Sequence, residues 1–410
     1  MTDLNKPRIA VLFPGALGDF VCLIPALHAL AKNAQLQVFA KTEFADIVAR
    51  DIPVGTLERY EINRLFVAGG AFERRVRDFF SPYERIYSWM GSGLPVFAGE
   101  LGAVAAGRAR LFAFRGANST THQADYYLSC LGFSQNHCGA VNVPLRPEAL
   151  KWREEFWDRY ALKEKAVLML APGSGAREKN WPDAYFAAVA RWWRGCTGGA
   201  VIVLLGPAEQ ERGGLDALAV DSPSPNSSQL AGRMKARRTL RSLGARPSQP
   251  KRLLRRSRQG GRNGFEELRK DTSELCSEEL HFISARNLNL AQVAALLCRA
   301  DLYLGNDSGI THLAAAVGAP TVALFGPSDA RRWAPRGPKV RLLSLDVACS
   351  PCDLDVMKSC PHRKCLTEFF PEKVIGELEH HAEITTLTWG GVGITVQSGS
   401  QADQMKENAG

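Results

Sequence analysis

No apolar run in this 410-residue chain approaches the roughly 18–20 residues that a membrane span requires. The opening residues, Met1-Thr2-Asp3-Leu4-Asn5-Lys6-Pro7, lack the charged, apolar and small-residue regions of a signal peptide and lead at once into a strand-like run. Together these absences predict a cytoplasmic protein. Ten cysteines in a chain of this length do not make a disulfide scaffold, and cytosolic thiols stay mostly reduced. The dinucleotide fingerprint G-x-G-x-x-G is missing, and no acid closes a clear second strand at the usual distance, which excludes a nicotinamide cofactor. Nor is any pair of acids spaced for a divalent cation.

Acid is also missing from residues 231–262, which hold twelve lysines and arginines. Taking those twelve from the net charge of +9 leaves −3 for the rest of the chain. The basic character therefore belongs to one segment. That segment carries almost no aromatic residue and no recognisable nucleic-acid module, so nucleic acid is not an expected partner. A basic run without stacking residues, preceded by the turn-rich Ser222–Ser228, is expected to be a solvated, disordered insertion at about 221–275. An anionic membrane or polymer contact, or a local reading-frame error, stays open for it.

What is present alternates. Arg8–Phe13 reads as a buried strand, Pro14–Asp19 as a glycine-bearing loop and Phe20–Leu30 as an apolar helix. Strands are expected at Leu36–Ala40, Tyr60–Val67 and Arg85–Trp89, with helices at Phe44–Arg50, near Ala71–Phe80 and from Thr121 to about Gly132. Glu148–Tyr160 reads as a linking helix, after which the pattern restarts. Ala166–Ala171 is a strand, Pro172-Gly173-Ser174-Gly175 a glycine loop, and Val201–Leu205 a strand; His281–Ile283 and Leu290–Cys298 resume strand and helix. Strands alternating with helices mean an α/β protein with parallel, doubly wound sheets. Two Rossmann-like halves in tandem are expected, 1–147 and 148–382, followed by a polar tail at 383–410.

The most informative stretch is Leu302–Asp329, L-Y-L-G-N-D-S-G-I-T-H-L-A-A-A-V-G-A-P-T-V-A-L-F-G-P-S-D. A short apolar strand leads into the polar turn Asn306-Asp307-Ser308-Gly309, an Ala-rich helix at Ile310–Val317, a Gly318-Ala319-Pro320 stop and a second strand, Thr321–Phe325. Such a turn sets a helix N-terminus at the carboxyl end of a parallel strand, where an anion can bind. His312 lies one turn into that helix, within reach of the same anion. An ordinary turn that only caps its helix would use the same residues.

The run from Asn306 to Asp329, with Trp333 and Pro335 after it, resembles the nucleotide-sugar half of glycosyltransferase family 9, the lipopolysaccharide heptosyltransferases and their relatives. Gly15–Phe20 resembles the family's glycine-aspartate loop, and Lys179-Asn180-Trp181-Pro182 its Lys-x-Trp-Pro segment. The resemblance implies a GT-B fold, two Rossmann-like doubly wound domains facing across a cleft, and an inverting, metal-independent enzyme without a cofactor. Its substrates would be a nucleotide-sugar donor, with ADP-heptose implied, and a glycan or glycolipid acceptor, with peripheral contact at the inner membrane surface.

By the same resemblance Asp19 is the general base on the acceptor hydroxyl, a role that suits a carboxylate because an attacking alcohol must lose its proton. The residues alone equally allow Asp19 to cap a helix. Ser174, Gly175, Lys179, Asp307, Ser308, Gly309 and His312 form the implied donor site, with lysine and helix dipole neutralising the leaving diphosphate. Cys349, Cys352, Cys360 and Cys365 have a C-x2-C…C-x4-C spacing, a weak candidate for zinc against reduced, locally packed thiols. Two rival functions stay open: a nucleotide-sugar epimerase or hydrolase of the same fold, and a non-catalytic nucleotide-sugar-binding module.

Overall fold

The computed structural model describes residues 6–116, 120–134, 141–206 and 282–381. The basic insertion expected at about 221–275 and the polar tail at 383–410 lie outside the described residues. Two all-parallel sheets form one compact unit. The first holds β1 (Arg8–Leu12), β2 (Gln35–Ala40), β3 (Val54–Thr56), β4 (Arg85–Ser88) and β5 (Ala109–Leu111), in the order β3-β2-β1-β4-β5. The second holds β6 (Val167–Ala171), β7 (Ala200–Leu205), β8 (Ile283–Arg286), β9 (Leu302–Asn306), β10 (Thr321–Phe325) and β11 (Val340–Ser344), ordered β11-β10-β9-β6-β7-β8.

Sequences such as Val167–Ala171 and Thr321–Phe325 are buried at every position, as a parallel strand covered on both faces demands. Strand order reverses direction at β1, between β2 and β4, and at β6, between β7 and β9. The crevices outside the carboxyl ends of β1, β6 and β9 are where open α/β sheets bind ligands. The segments that follow those three strands carry Asp19, Lys179 and Asp307. Phe20 and Leu23 of α1 (Leu17–Ala31) lie in the same buried cluster as Leu313 and Ala314, so apolar packing is continuous across both sheets.

Several local expectations are corrected. Tyr60–Val67 is no strand: it forms a short helix, Tyr60–Asn63, and a 3-10 turn, Arg64–Phe66, while the strand lies earlier, at Val54–Thr56. Buried Glu61 accepts from Arg59 at 3.2 Å and from Arg75 at 2.9 Å, so the shape of this segment answers to a partner fourteen residues on and not to its own apolar pattern. Phe44–Arg50 is replaced by the 3-10 turn Thr42–Ile47. The helix Pro95–Ala105 and three-residue β5 were not foreseen, β5 being too short to show any period. α1 starts at Leu17, so Asp19 lies inside its first turn and not in the loop before it.

Candidate active site

β1 hands the chain to α1 through Phe13–Ala16. A Cβ on Gly15 would stand 2.4 Å from the Phe13 ring and 2.8 Å from Asp19 Cβ, so only glycine fits this turn. Ala16, at the N-cap, has no side chain with which to satisfy the helix start. Asp19 reaches back instead, and one of its carboxylate oxygens accepts the Ala16 N–H at 3.2 Å. Burial raises the Asp19 carboxyl above its ordinary value, while the Ala16 N–H and the charges of Arg115 and Lys179 pull it down. A raised carboxyl holds a proton better and is a stronger base when ionised.

In the second half, Lys179 ends the 3-10 turn Arg177–Lys179, and its Nζ lies 2.6 Å from Asp307 Oδ2. Ser174 Oγ is 2.6 Å from both the Ala176 carbonyl and Asn180 Oδ1, which shapes the loop after β6. No protein atom lies within 4 Å of a Cβ placed on Gly175, so the space beside it is open. Ser308 caps the helix Gly309–Ala316, accepting the Thr311 N–H at 3.4 Å. Asp307 is buried and Ser308 half-buried.

The starts of α1 and of the Gly309–Ala316 helix meet. A Cβ on Gly309 would lie 2.7 Å from Leu17 Cβ and 2.9 Å from the Gly18 nitrogen. Two helix N-termini, each with partial positive charge, thus point into the same region as Lys179 and Arg115. That concentration of positive potential suits an anion, and Asp19 and Asp307 are the carboxylates placed beside it.

His312 is buried to 4% exposure. Its Nδ1 lies 3.8 Å from Cys22 Sγ of α1, and its ring also hydrogen-bonds the Trp333 backbone. Burial drives its pKa down to about 4, so the imidazole is neutral at physiological pH. An unfolded histidine takes up its proton near pH 6.5. The stability gained by keeping His312 neutral is therefore complete above about 6.5 and is lost as pH falls from there towards about 4. A His312→Gln variant should show a shallower fall of melting temperature over that window, and an unchanged slope would clear this imidazole of the effect.

Two contributors were missed from sequence. Asn306, taken for a turn residue, is fully buried at the end of β9; its Nδ2 donates to the Pro172 carbonyl at 2.6 Å and its Oδ1 accepts the Trp181 N–H at 3.0 Å. It ties the lysine-bearing loop to the strand that carries Asp307. Cys22 had no local signal, because its partner is 290 residues away.

Cys349, Cys352, Cys360 and Cys365 lie near one another, but among the described residues no group of three or more His, Cys, Asp and Glu side chains is placed to hold a metal ion. The structure shows buried Cys365, its thiol pushed up to about 11 mainly by burial, and Cys360 drawn down by the N–H groups of Arg363 and His362.

Residues 262–362 match the model of glycosyltransferase family 9 (heptosyltransferase). Over 123 residues the chain is 36% identical to lipooligosaccharide heptosyltransferase 2 of Campylobacter jejuni, a stretch that spans 27% of this chain and 38% of that protein's length. Among solved structures, the family 9 glycosyl transferase of Veillonella parvula aligns over 92% of this chain and 97% of its own, at TM-score 0.62 and 18% identity. The E. coli ADP-heptose lipopolysaccharide heptosyltransferase II aligns over 91% and 97%, at TM-score 0.54 and 16% identity. The iron-containing dodecameric glycosyltransferase TibC of enterotoxigenic E. coli aligns over 94% of this chain and 78% of its own, at TM-score 0.52 and 14% identity. Asp19 and Lys179 lie outside the family match, whereas Asp307–His312 lies within it. No helix among the described residues is long and apolar enough to cross a membrane. Residues 262–362 thus match glycosyltransferase family 9 (heptosyltransferase), and the fold of the chain is GT-B.

Proposed function

We propose that the protein is an inverting, metal-independent glycosyltransferase that moves a heptose from ADP-heptose to a glycan hydroxyl during assembly of a lipopolysaccharide core. The carrying observation is the convergence of a carboxylate from one half, Asp19, with a lysine and a helix N-terminus from the other. The sequence relative named as a heptosyltransferase and the structural neighbour named for ADP-heptose support the choice of sugar and nucleotide. In this reading the diphosphate lies at the start of the Gly309–Ala316 helix, held by its N–H groups, Ser308 and Lys179. The acceptor hydroxyl attacks the anomeric carbon from the face opposite the diphosphate and gives its proton to Asp19 as the new bond forms, while the bond from that carbon to the diphosphate oxygen breaks and ADP leaves with the electron pair. His312, neutral and enclosed, holds the helix start against α1 and Trp333 without adding charge. The protein acts in the cytoplasm, against the inner face of the membrane that displays its acceptor.

Lys179 is paired with Asp307 in the free protein, and a diphosphate would compete for that ammonium. Lys179→Ala should weaken ADP binding roughly ten- to a hundredfold, the loss of one charged hydrogen bond of about 1.5–3 kcal/mol. Calorimetry with ADP checks this, and unchanged affinity takes Lys179 out of the site. A thermal-shift screen of ADP, UDP, GDP and their sugars tests the base, since ligand at a hundred times its dissociation constant adds about 2.7 kcal/mol. Stabilisation by UDP or GDP in preference to ADP would overturn the donor assignment.

A further inference from the structure

A second set of contacts joins the two halves away from the glycine pair. His122 caps the helix Gln123–Cys130, its Nδ1 accepting the Ala124 N–H at 3.2 Å, which leaves the ring proton on Nε2. That Nε2 donates to the Ala334 carbonyl at 2.8 Å. Three residues after His122 and two after Ala334, both terminal guanidinium nitrogens of Arg336 donate to the two carboxylate oxygens of Asp125, at 2.7 and 2.6 Å. Arg332 Nη2 donates to the Gly116 carbonyl at 3.2 Å, and the Arg115 guanidinium sits 5.3 Å from the centre of the Trp333 ring.

Both segments also reach the candidate site. The Gln123–Cys130 helix packs on α1, which carries Asp19, and the Trp333 backbone bonds the ring of His312 on the donor-side helix. A planar fork on a carboxylate has one good geometry, and at 11% side-chain exposure Asp125 is little screened by water. A slip of the halves by an ångström or so would break both bonds together.

We propose that Asp125 and Arg336 are positioning residues, a clasp that holds the two halves in the register at which Asp19 and Lys179 face one donor sugar. The proposal rests on the transferase reading above for its role in turnover, but the clasp itself is measurable without turnover. The experiment uses the full chain with Asp125→Asn, Arg336→Gln and both together. Three readouts apply: ADP affinity, amide hydrogen exchange over residues 120–134 and 330–337, and kcat and KM for transfer from ADP-heptose.

Each single variant should speed exchange in both segments and lower kcat roughly tenfold, as a lost register does, with ADP affinity within about twofold of the parent. The double variant should be no worse than either single one, because each removes the same interaction. Additive losses, or exchange that quickens only in the substituted segment, overturn the clasp. If either single variant fails to fold, Arg336→Lys, which keeps the charge and loses the fork, takes its place with the same expectations. A parent that transfers no sugar sinks the transferase reading alone, and the exchange data still decide the clasp.

Discussion

Asp19→Asn should lower turnover by about 10² to 10⁴, the usual worth of general-base catalysis, while the protein melts within a few degrees of the parent. The structure sharpens the reason for expecting so small a change in stability. Asp19 stabilises α1 through one carboxylate oxygen on the Ala16 N–H, and the amide oxygen of asparagine can accept the same hydrogen bond. Asparagine cannot take the proton of an attacking hydroxyl. ADP binding should persist in the variant, because the lysine and the Gly309–Ala316 helix belong to the other half. A transfer assay with ADP-heptose and an acceptor-containing extract separates the two roles. Near-normal turnover in Asp19→Asn would leave this carboxylate as a helix cap and nothing more.

Trp181→Ala should cost about 3–5 kcal/mol of stability, the range for emptying a buried tryptophan site. Its ring is fully buried, packs edge-on against Phe186 at 5.0 Å and Tyr185 at 5.4 Å, and donates Nε1–H to the Phe369 carbonyl at 2.8 Å. Its backbone N–H is the one held by Asn306, and Lys179 is two residues before it. The loss should therefore appear twice, as a lower urea midpoint and as weaker ADP binding through a loosened lysine loop. Trp181→Phe, which keeps most of the packing and leaves the Phe369 carbonyl without this donor, should fall between the two at about 1–3 kcal/mol. A parental urea midpoint in Trp181→Ala would show that the site collapses without cost and that the ring does not hold the loop.

How much of this could be read beforehand depended on whether the cause was local. Thr321–Phe325 is an apolar run between turn signals, and its strand bounds coincide with the expectation. The polar turn ahead of Gly309 and its N-cap serine follow from local backbone chemistry, and Ser308 caps the helix as such a residue should. Tyr60–Val67 misled because its apolar residues suit a strand, while its shape is decided by Glu61 meeting Arg75, fourteen residues on. His312 was legible as a polar residue near an anion site. Its neutrality was not, because the burial that lowers its pKa comes from α1 and Cys22, far away in sequence. The thiol spacing at Cys349–Cys365 left a weak zinc candidate beside locally packed thiols, because spacing alone does not say whether four sulfurs converge.

The meeting of Gly18 and Gly309 has a consequence for how this molecule can be altered. The closest approach of the two helix starts is made possible by side chains that are not there. Any atom added at position 309 therefore acts as a shim, and its thickness is transmitted to the distance between the acceptor-side and donor-side loops. Alanine, serine and valine at this one position form a graded set of spacers, each opening the gap a little further without touching a charge. A spacing set by one missing methyl group at position 309 is adjustable from a single codon, whereas a Cβ on Gly18 would come no nearer than 3.3 Å to its neighbours and asks far less of them.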